Sequence, residues 1–369
     1  MEQDTRPSDF HRPTPRESYS PRSFSVCRDA GGRPWAAWHA TEDGRECIRV
    51  LASDAGGRSE ALTAPGLHFE PDLAADPAGG VWCAWSQRDG ACWRVVARHR
   101  DGEWGPEVWM PAGEDEFAFH VAAECDGRGR LWVAYTAWSH GREPRVRIRR
   151  LEDGEWSDEI CFDVGCRQMR PVLAAGRDGA VWVAFAAYAN GGFRVVTAAP
   201  AADAAGRLPV EVPVDPIEGR QQLFPDLCIG ADGMPWLAWV TCTDVVRDGV
   251  VGRQATLDVA RRGPEGWRPA GGPRSSTVAH LDWGMLPVET YWGYNGLRYR
   301  PQLCAHPHDM WVFWERHRSE TSIPENVANG QFCGCRHDGS GWGPPQLVHN
   351  GGSCFTIGGL RRLEGETIE

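Results

Sequence analysis

The sequence predicts an all-β protein, a β-propeller most simply built of six four-stranded blades, with seven if the two termini form another. Three observations carry this. A tryptophan-centred word recurs six times, Asp/Gly turns punctuate the chain at matching places, and 44 Gly, 27 Pro and 19 Trp accompany few Leu- or Lys-rich stretches that would build helices. The word reads Trp35-Ala-Ala-Trp38, Trp82-Cys-Ala-Trp85, Trp132-Val-Ala-Tyr135, Trp182-Val-Ala-Phe185, Trp236-Leu-Ala-Trp239 and Trp311-Val-Phe-Trp314. Its anchors lie 47, 50, 50, 54 and 75 residues apart, a spacing that suits one blade of four strands, with an insertion of about 25 residues in the last interval.

Each blade is read in chain order. Strand A precedes the anchor, as in Pro71-Asp-Leu-Ala-Ala-Asp76, Arg170-Pro-Val-Leu, Phe224-Pro-Asp-Leu and Arg300-Pro-Gln-Leu. A turn such as Asp178-Gly179 or Asp232-Gly233 supplies the positive φ of a tight hairpin into strand B. Strand B is the tryptophan word. Period-2 geometry puts Trp82 and Ala84 on one face and Cys83 and Trp85 on the other, so both faces are apolar and both must be covered. A sheet sandwiched between two like sheets meets that demand. Strand C follows, as in Trp93-Arg-Val-Val-Ala-Arg98, then a turn such as Asp101-Gly-Glu-Trp104, then strand D near Glu107-Val-Trp-Met110. The blades fall at about 23–66, 67–115, 116–166, 167–216, 220–272 and 298–350, with the insertion at about 273–297. Residues 1–22 and 351–369 fit no repeat and are candidates to close the ring.

The C–D turns Asp101-Gly-Glu-Trp104, Asp153-Gly-Glu-Trp156, Glu265-Gly-Trp267 and Gly339-Ser-Gly-Trp342 resemble shortened Asp-box turns of the sialidase-like (BNR) propeller superfamily, at the place in the blade where that superfamily has them. The resemblance implies a propeller. Its members include glycosidases, uronate-polysaccharide lyases and non-enzymatic binders, so the fold does not choose among these.

The formal charge is -11, and every one of the 39 basic residues is arginine. This balance argues against a nucleic-acid backbone as partner, which needs a clustered positive footprint, but permits a local basic pocket for a small anionic ligand. Thirteen cysteines, several at strand positions such as Cys83, Cys228 and Cys304, read as small buried hydrophobes. The start Met1-Glu-Gln-Asp-Thr-Arg-Pro lacks the apolar core of a secretion signal and no segment reaches the length of a membrane span, so a cytoplasmic protein without a membrane partner is expected.

The starts of strand A and the ends of strand B share one rim of the torus, and the residues suited to chemistry gather there. Before or at strand A stand His68, Glu70, His120, Gln168, Arg170, Gln221, Gln222, Arg298, Tyr299 and Arg300; after strand B stand His39, Gln87, His140, Tyr188, Asn190, Asp244, Glu315 and His317. The insertion, with Trp283, Tyr291, Trp292, Tyr294, Asp282 and Glu289, runs into the last strand A and reads as a loop shaping a pocket, its aromatic faces suited to sugar rings and its arginines to a carboxylate.

Two reactions fit. β-Elimination from a uronate needs a cation over the carboxylate, a base for the α-proton and an acid for the leaving oxygen. Arg170 or Arg300, His120 or His140, and Tyr188 or Tyr299 suit these roles. The His-rich rim is similar in kind to the His, Tyr and Arg sets of propeller-form ulvan lyases. Glycoside hydrolysis needs a carboxylate pair, for which Glu70, Asp244, Asp282, Glu289 and Glu315 are candidates. The catalytic set expected is therefore His120, His140, Tyr188, Arg170, Tyr299 and Glu70, with Arg300, Arg298, Trp292, Tyr294, His68, Gln222, Glu315 and His317 binding an oligosaccharide or other small anionic ligand.

Metal signals are weaker. Cys333-Gly-Cys335-Arg-His337 lacks the second segment a closed zinc site usually brings, and the rim histidines His39, His120, His140 and His317 are compatible with a divalent cation that spacing alone does not decide. No phosphate loop, nucleophile elbow or His-Glu-x-x-His helix is present. The competing class is a non-catalytic sugar-binding or interaction propeller. A multivalent binder would repeat one polar set in every blade, whereas here the rim residues differ from blade to blade.

Overall fold

The computed structural model describes residues 24–42, 45–52, 59–113, 115–176, 178–200, 205–215, 218–247, 250–272, 274–281, 301–317 and 330–350. Among them every regular element is a strand, and the strands form successive antiparallel meanders. The first is β1 (Phe24–Arg28), β2 (Pro34–Glu42), β3 (Arg45–Ala52) and β4 (Glu60–Ala61). The second is β5 (His68–Ala75), β6 (Val81–Asp89) and β7 (Cys92–Asp101), edged by β8 (Glu103–Trp104) and β9 (Val108–Trp109). The third is β10 (Glu116–Cys125), β11 (Leu131–Ser139), β12 (Arg145–Glu152), β13 (Glu155–Trp156) and β14 (Ile160–Phe162). The fourth is β15 (Arg167–Ala175), β16 (Val181–Ala189) and β17 (Gly192–Ala198), after which β18 (Gly206–Leu208) crosses to pair in parallel with β14. The fifth is β19 (Gln221–Ile229), β20 (Pro235–Arg247), β21 (Val250–Gly263), β22 (Gly266–Pro269) and β23 (Thr277–Leu281). The last is β24 (Gln302–His306), β25 (Asp309–His317), β26 (Gly330–His337) and β27 (Gln346–Asn350).

Apolar faces on both sides of each second strand are covered by the neighbouring meanders. Trp35 and Ile48 pack against Leu73 and Trp85, Val95 and Ala97 against Val133 and Tyr135, and Ile148 and Phe162 against Val183 and Phe185. Leu237 and Trp239 meet Val172 and Val195, and Leu257 and Val259 meet Leu303, Val312 and Trp314. Hydrophobic burial thus lies between meanders more than within them. The anchor tryptophans are covered edge-on by the turn tryptophan of the next meander: Trp104 on Trp35 at 6.4 Å and 86°, Trp267 on Trp182 at 6.0 Å and 88°, and Trp342 on Trp236 at 6.3 Å and 90°.

The turns between first and second strands are held by buried carboxylates. Asp126 accepts from the Trp132 indole at 2.9 Å and from Arg130 Nε at 2.7 Å, and Asp29 accepts from Trp35 at 3.0 Å and Arg33 at 2.8 Å. Burial alone would raise the Asp126 carboxyl, but the bonds from Trp132, Arg128 and Arg130 outweigh it and hold the group below the usual carboxylate range. This rim is structural. At the third-strand end of the second meander, His99 takes the place of such a cation, its Nε2 lying 3.0 Å from Asp76 with its ring stacked on Trp82.

Candidate active site on the innermost strands

The first strands β1, β5, β10, β15, β19 and β24 neighbour one another in that order, which makes them the inner lining of the arrangement. Side chains tie them together. Ser25 Oγ donates to Asp72 Oδ1 at 2.7 Å and accepts the Leu73 N–H at 3.0 Å; Asp72 Oδ2 accepts the Ala123 N–H at 2.8 Å; Asp226 Oδ2 accepts the Leu303 N–H at 2.8 Å.

Four of these strands carry the same irregularity. Their ladders slip between Phe69 and Asp72, Phe119 and Ala122, Met169 and Val172, and Leu223 and Asp226. Within each slip stands a non-glycine residue in the left-handed region: Glu70 at φ 52°, His120 at 54°, Arg170 at 56° and Phe224 at 55°. A side-chain-bearing residue held there costs about 1–2 kcal/mol, and such bulges re-aim a side chain off the sheet face. Proline follows Glu70, Arg170 and Phe224 and removes a donor where the ladder is broken.

The re-aimed residues meet across the meanders. Glu70 Oε2 accepts the His120 backbone N–H. Thr136, on β11, lies 3.1 Å through Oγ1 from His120 Nδ1 and accepts the Arg170 N–H at 3.1 Å. Arg170 in turn sets its guanidinium carbon 5.6 Å from the centroid of the Phe224 ring. Glu70, His120, Thr136 and Arg170 are thus linked in succession over three consecutive meanders, the first and last links running through the His120 and Arg170 backbone N–H groups. A hydroxyl donates or accepts, so Thr136 anchors either tautomer of His120, and the imidazole can gain or lose a proton at Nε2 without losing that anchor.

Beside the Tyr135 hydroxyl lies a half-buried ionic cluster. Arg147 Nη1 donates to Glu116 Oε2 at 2.6 Å and to Glu159 Oε2 at 2.9 Å, with Arg149 Nη2 3.5 Å from Glu159. Burial outweighs these cations at Glu116 and holds its carboxyl above the usual range; burial, then the Glu116 charge, raises the Tyr135 hydroxyl. Cys161, 3.2 Å from Glu159, is pushed up to about 11 by burial.

Of the expected catalytic residues, the structure brings together Glu70, His120 and Arg170. Tyr188, near the end of β16, packs edge-on against Phe193 at 5.2 Å and joins the apolar cluster that also holds Met169 and Phe224. His140 is exposed in the turn after β11 and makes no described contact with the chain of polar groups. Two expected sugar ligands are buried and bonded within the fold. His68 is 4% exposed, with Nε2 2.9 Å from the Ala64 carbonyl, and burial lowers its basicity. Gln222, also 4% exposed, accepts from the Val195 N–H at 3.1 Å and donates to the Val214 carbonyl at 3.3 Å. Both stand two residues before a left-handed residue, where strand alternation turns the side chain into the meander, and Gln168 at the matching place does the same.

Tyr299, Arg298, Arg300, Trp292 and Tyr294 lie outside the described residues. Glu315 and His317 lie at the end of β25, paired with Phe332 and Gly330 of β26; Glu315 stands where Thr136 stands in the third meander. Among the metal candidates, the His39 side chain is buried 3.7 Å from Glu46 and against Phe69, and among the described residues no three His, Cys, Asp or Glu side chains are gathered as a metal site. Thr136 was not anticipated. The available signal was the position after each tryptophan word, which carries His39, Ser86, Thr136, Ala186, Val240 and Glu315.

No family model matches the chain, and no curated protein matches its sequence. Among solved structures it is similar to an ulvan lyase described as a new family of polysaccharide lyase, with TM-score 0.55 and 9% identity over 89% of this chain and 83% of that one. The same kind of enzyme bound to -[GlcA(1-4)Rha3S]- gives TM-score 0.54 and 9% identity over the same shares. The α-L-arabinanase of Penicillium chrysogenum complexed with arabinobiose gives TM-score 0.45 and 11% identity over 79% of this chain and 87% of that one. The fold is a β-propeller. At these identities the likeness is one of architecture.

Proposed function

We propose that this propeller is a carbohydrate-active lyase that cleaves a uronate-containing oligosaccharide by β-elimination at the inner rim. The observation that carries the reading is the run Glu70, His120, Thr136, Arg170, three of whose members are held in the left-handed region within strand bulges. Arg170 pairs with the substrate carboxylate and stabilises the charge that develops when the α-proton leaves. His120 takes that proton, a C=C bond forms as the bond to the leaving oxygen breaks, and Tyr188 or the protonated imidazole returns a proton to that oxygen. The saccharide held by the ulvan lyase of like fold is itself a glucuronate disaccharide, which supports an anionic sugar as substrate. Hydrolysis is the weaker reading: it needs two carboxylates facing the scissile bond, and among the described residues Asp72, the nearest in sequence to Glu70, has both oxygens engaged by Ser25 and Ala123.

For the ring itself we propose six blades, and a sialidase-like ancestry for the shortened turns. The order of the first strands and the repeated turn tryptophans support the reading.

The test is incubation with glucuronate- and iduronate-containing oligosaccharides, following the ultraviolet absorbance of unsaturated product. His120→Gln and Arg170→Gln should each lower turnover by about 10²–10⁴-fold while leaving the fold intact. Saccharide binding without unsaturated product across the panel would assign the protein to the binders instead.

A further inference from the structure

The second and third meanders are joined by a parallel pairing of β7 with β10 through Trp93 and Phe117, which fuses the two into one sheet. The Trp93 ring lies between Phe69, at 4.9 Å and 28°, and Phe119, at 5.4 Å and 44°. Each of these phenylalanines immediately precedes a left-handed residue, Glu70 on one side and His120 on the other. The bond from the His120 N–H to Glu70 Oε2 crosses the same gap. By ladder register, the positions equivalent to Trp93 in the first, fourth, fifth and last meanders hold Glu46, Phe193, Ala255 and Gly330. Of these only Phe193 is aromatic, and its described ring partner is Tyr188, edge-on at 5.2 Å.

We propose that Trp93 is a positioning residue, an aromatic spacer that sets the separation of Glu70 and His120 by fixing the two phenylalanines next to them. A ring filled on both faces resists compression and sliding, because interiors pack at crystal-like density and a lost contact is not replaced. Its bearing on turnover rests on the lyase reading; its bearing on geometry does not.

Amide hydrogen exchange reads the geometry directly, since the His120 N–H is a donor that spans the junction to the Glu70 carboxylate. In Trp93→Leu the His120 amide should exchange at least about tenfold faster, while amides of the fifth and last meanders keep their rates. Trp93→Phe, which keeps a ring in the gap, should restore most of the protection. Trp182→Leu, at an anchor elsewhere, should leave His120 unchanged. Where Trp93→Leu does not fold, Phe69→Leu removes one face of the stack and serves the same reading. An unchanged His120 amide, or a uniform rise in all meanders, overturns the proposal. If wild-type protein makes unsaturated product, Trp93→Leu should lower kcat by about tenfold with KM within about twofold, as expected for misplaced groups and not for lost binding. If it makes none, the lyase reading fails and the exchange result still decides the role of Trp93.

Discussion

Thr136 serves two meanders with one oxygen, reaching the His120 ring and holding the Arg170 N–H. Thr136→Val keeps the shape and removes both bonds, so stability should fall by about 1–3 kcal/mol in urea denaturation and, if the protein is the lyase proposed, turnover should drop by about 10–100-fold. Glu116 behaves differently. Its folded carboxyl sits above its unfolded value, so its contribution favours the native state below the unfolded value and is lost as pH rises through the folded one. Glu116→Gln should therefore equal or exceed the wild-type melting temperature near pH 7, the difference closing as the pH falls below about 4. A fall in melting temperature at neutral pH would instead assign net stabilisation to the Arg147 bond.

At the scale of elements, the bulge and the tight turn divide the labour between the two rims. The bulges on β5, β10 and β15 hold Glu70, His120 and Arg170 in the left-handed region, and the matching bulge on β19 holds Phe224 beneath the Arg170 guanidinium. His120→Gly should keep the protein within about 1 kcal/mol of its parent, because relief of the left-handed backbone offsets the lost ring bond, while His120→Val should be less stable than the glycine variant by about 1–2 kcal/mol; thermal denaturation of both checks this. On the opposite rim, Asp126→Ala leaves the Trp132 indole and the Arg130 guanidinium buried without their acceptor and should cost about 3–5 kcal/mol by urea denaturation, with no specific effect on the candidate site. The shared alternation of strand A explains why His68 and Gln222 turn inward while Glu70 and Arg170 do not: the bulge falls between them and reverses the pattern.

At the scale of the whole molecule, stability is shared. The apolar clusters each span consecutive meanders, so none can unfold without baring its neighbour. One cooperative calorimetric transition is expected, and two well-separated transitions would count against this coupling. The same sharing explains how four unrelated side chains come together: three consecutive meanders supply them, the third giving both His120 and Thr136, and a site that differs at every step arises from a fold that repeats.

The order of strands, the buried tryptophan word and the rim that gathers polar groups are all legible in the sequence, because alternation and turn chemistry are local and recur at a readable period. Glu70, His120 and Arg170 were legible as candidates for the same reason. What only the tertiary structure decided is which candidates meet. The left-handed bulges, the Thr136 bridge, the inward turn of His68 and Gln222 and the Trp93 wedge all depend on how one meander lies against the next, and contacts between strands about 50 residues apart leave no periodic trace in either strand alone.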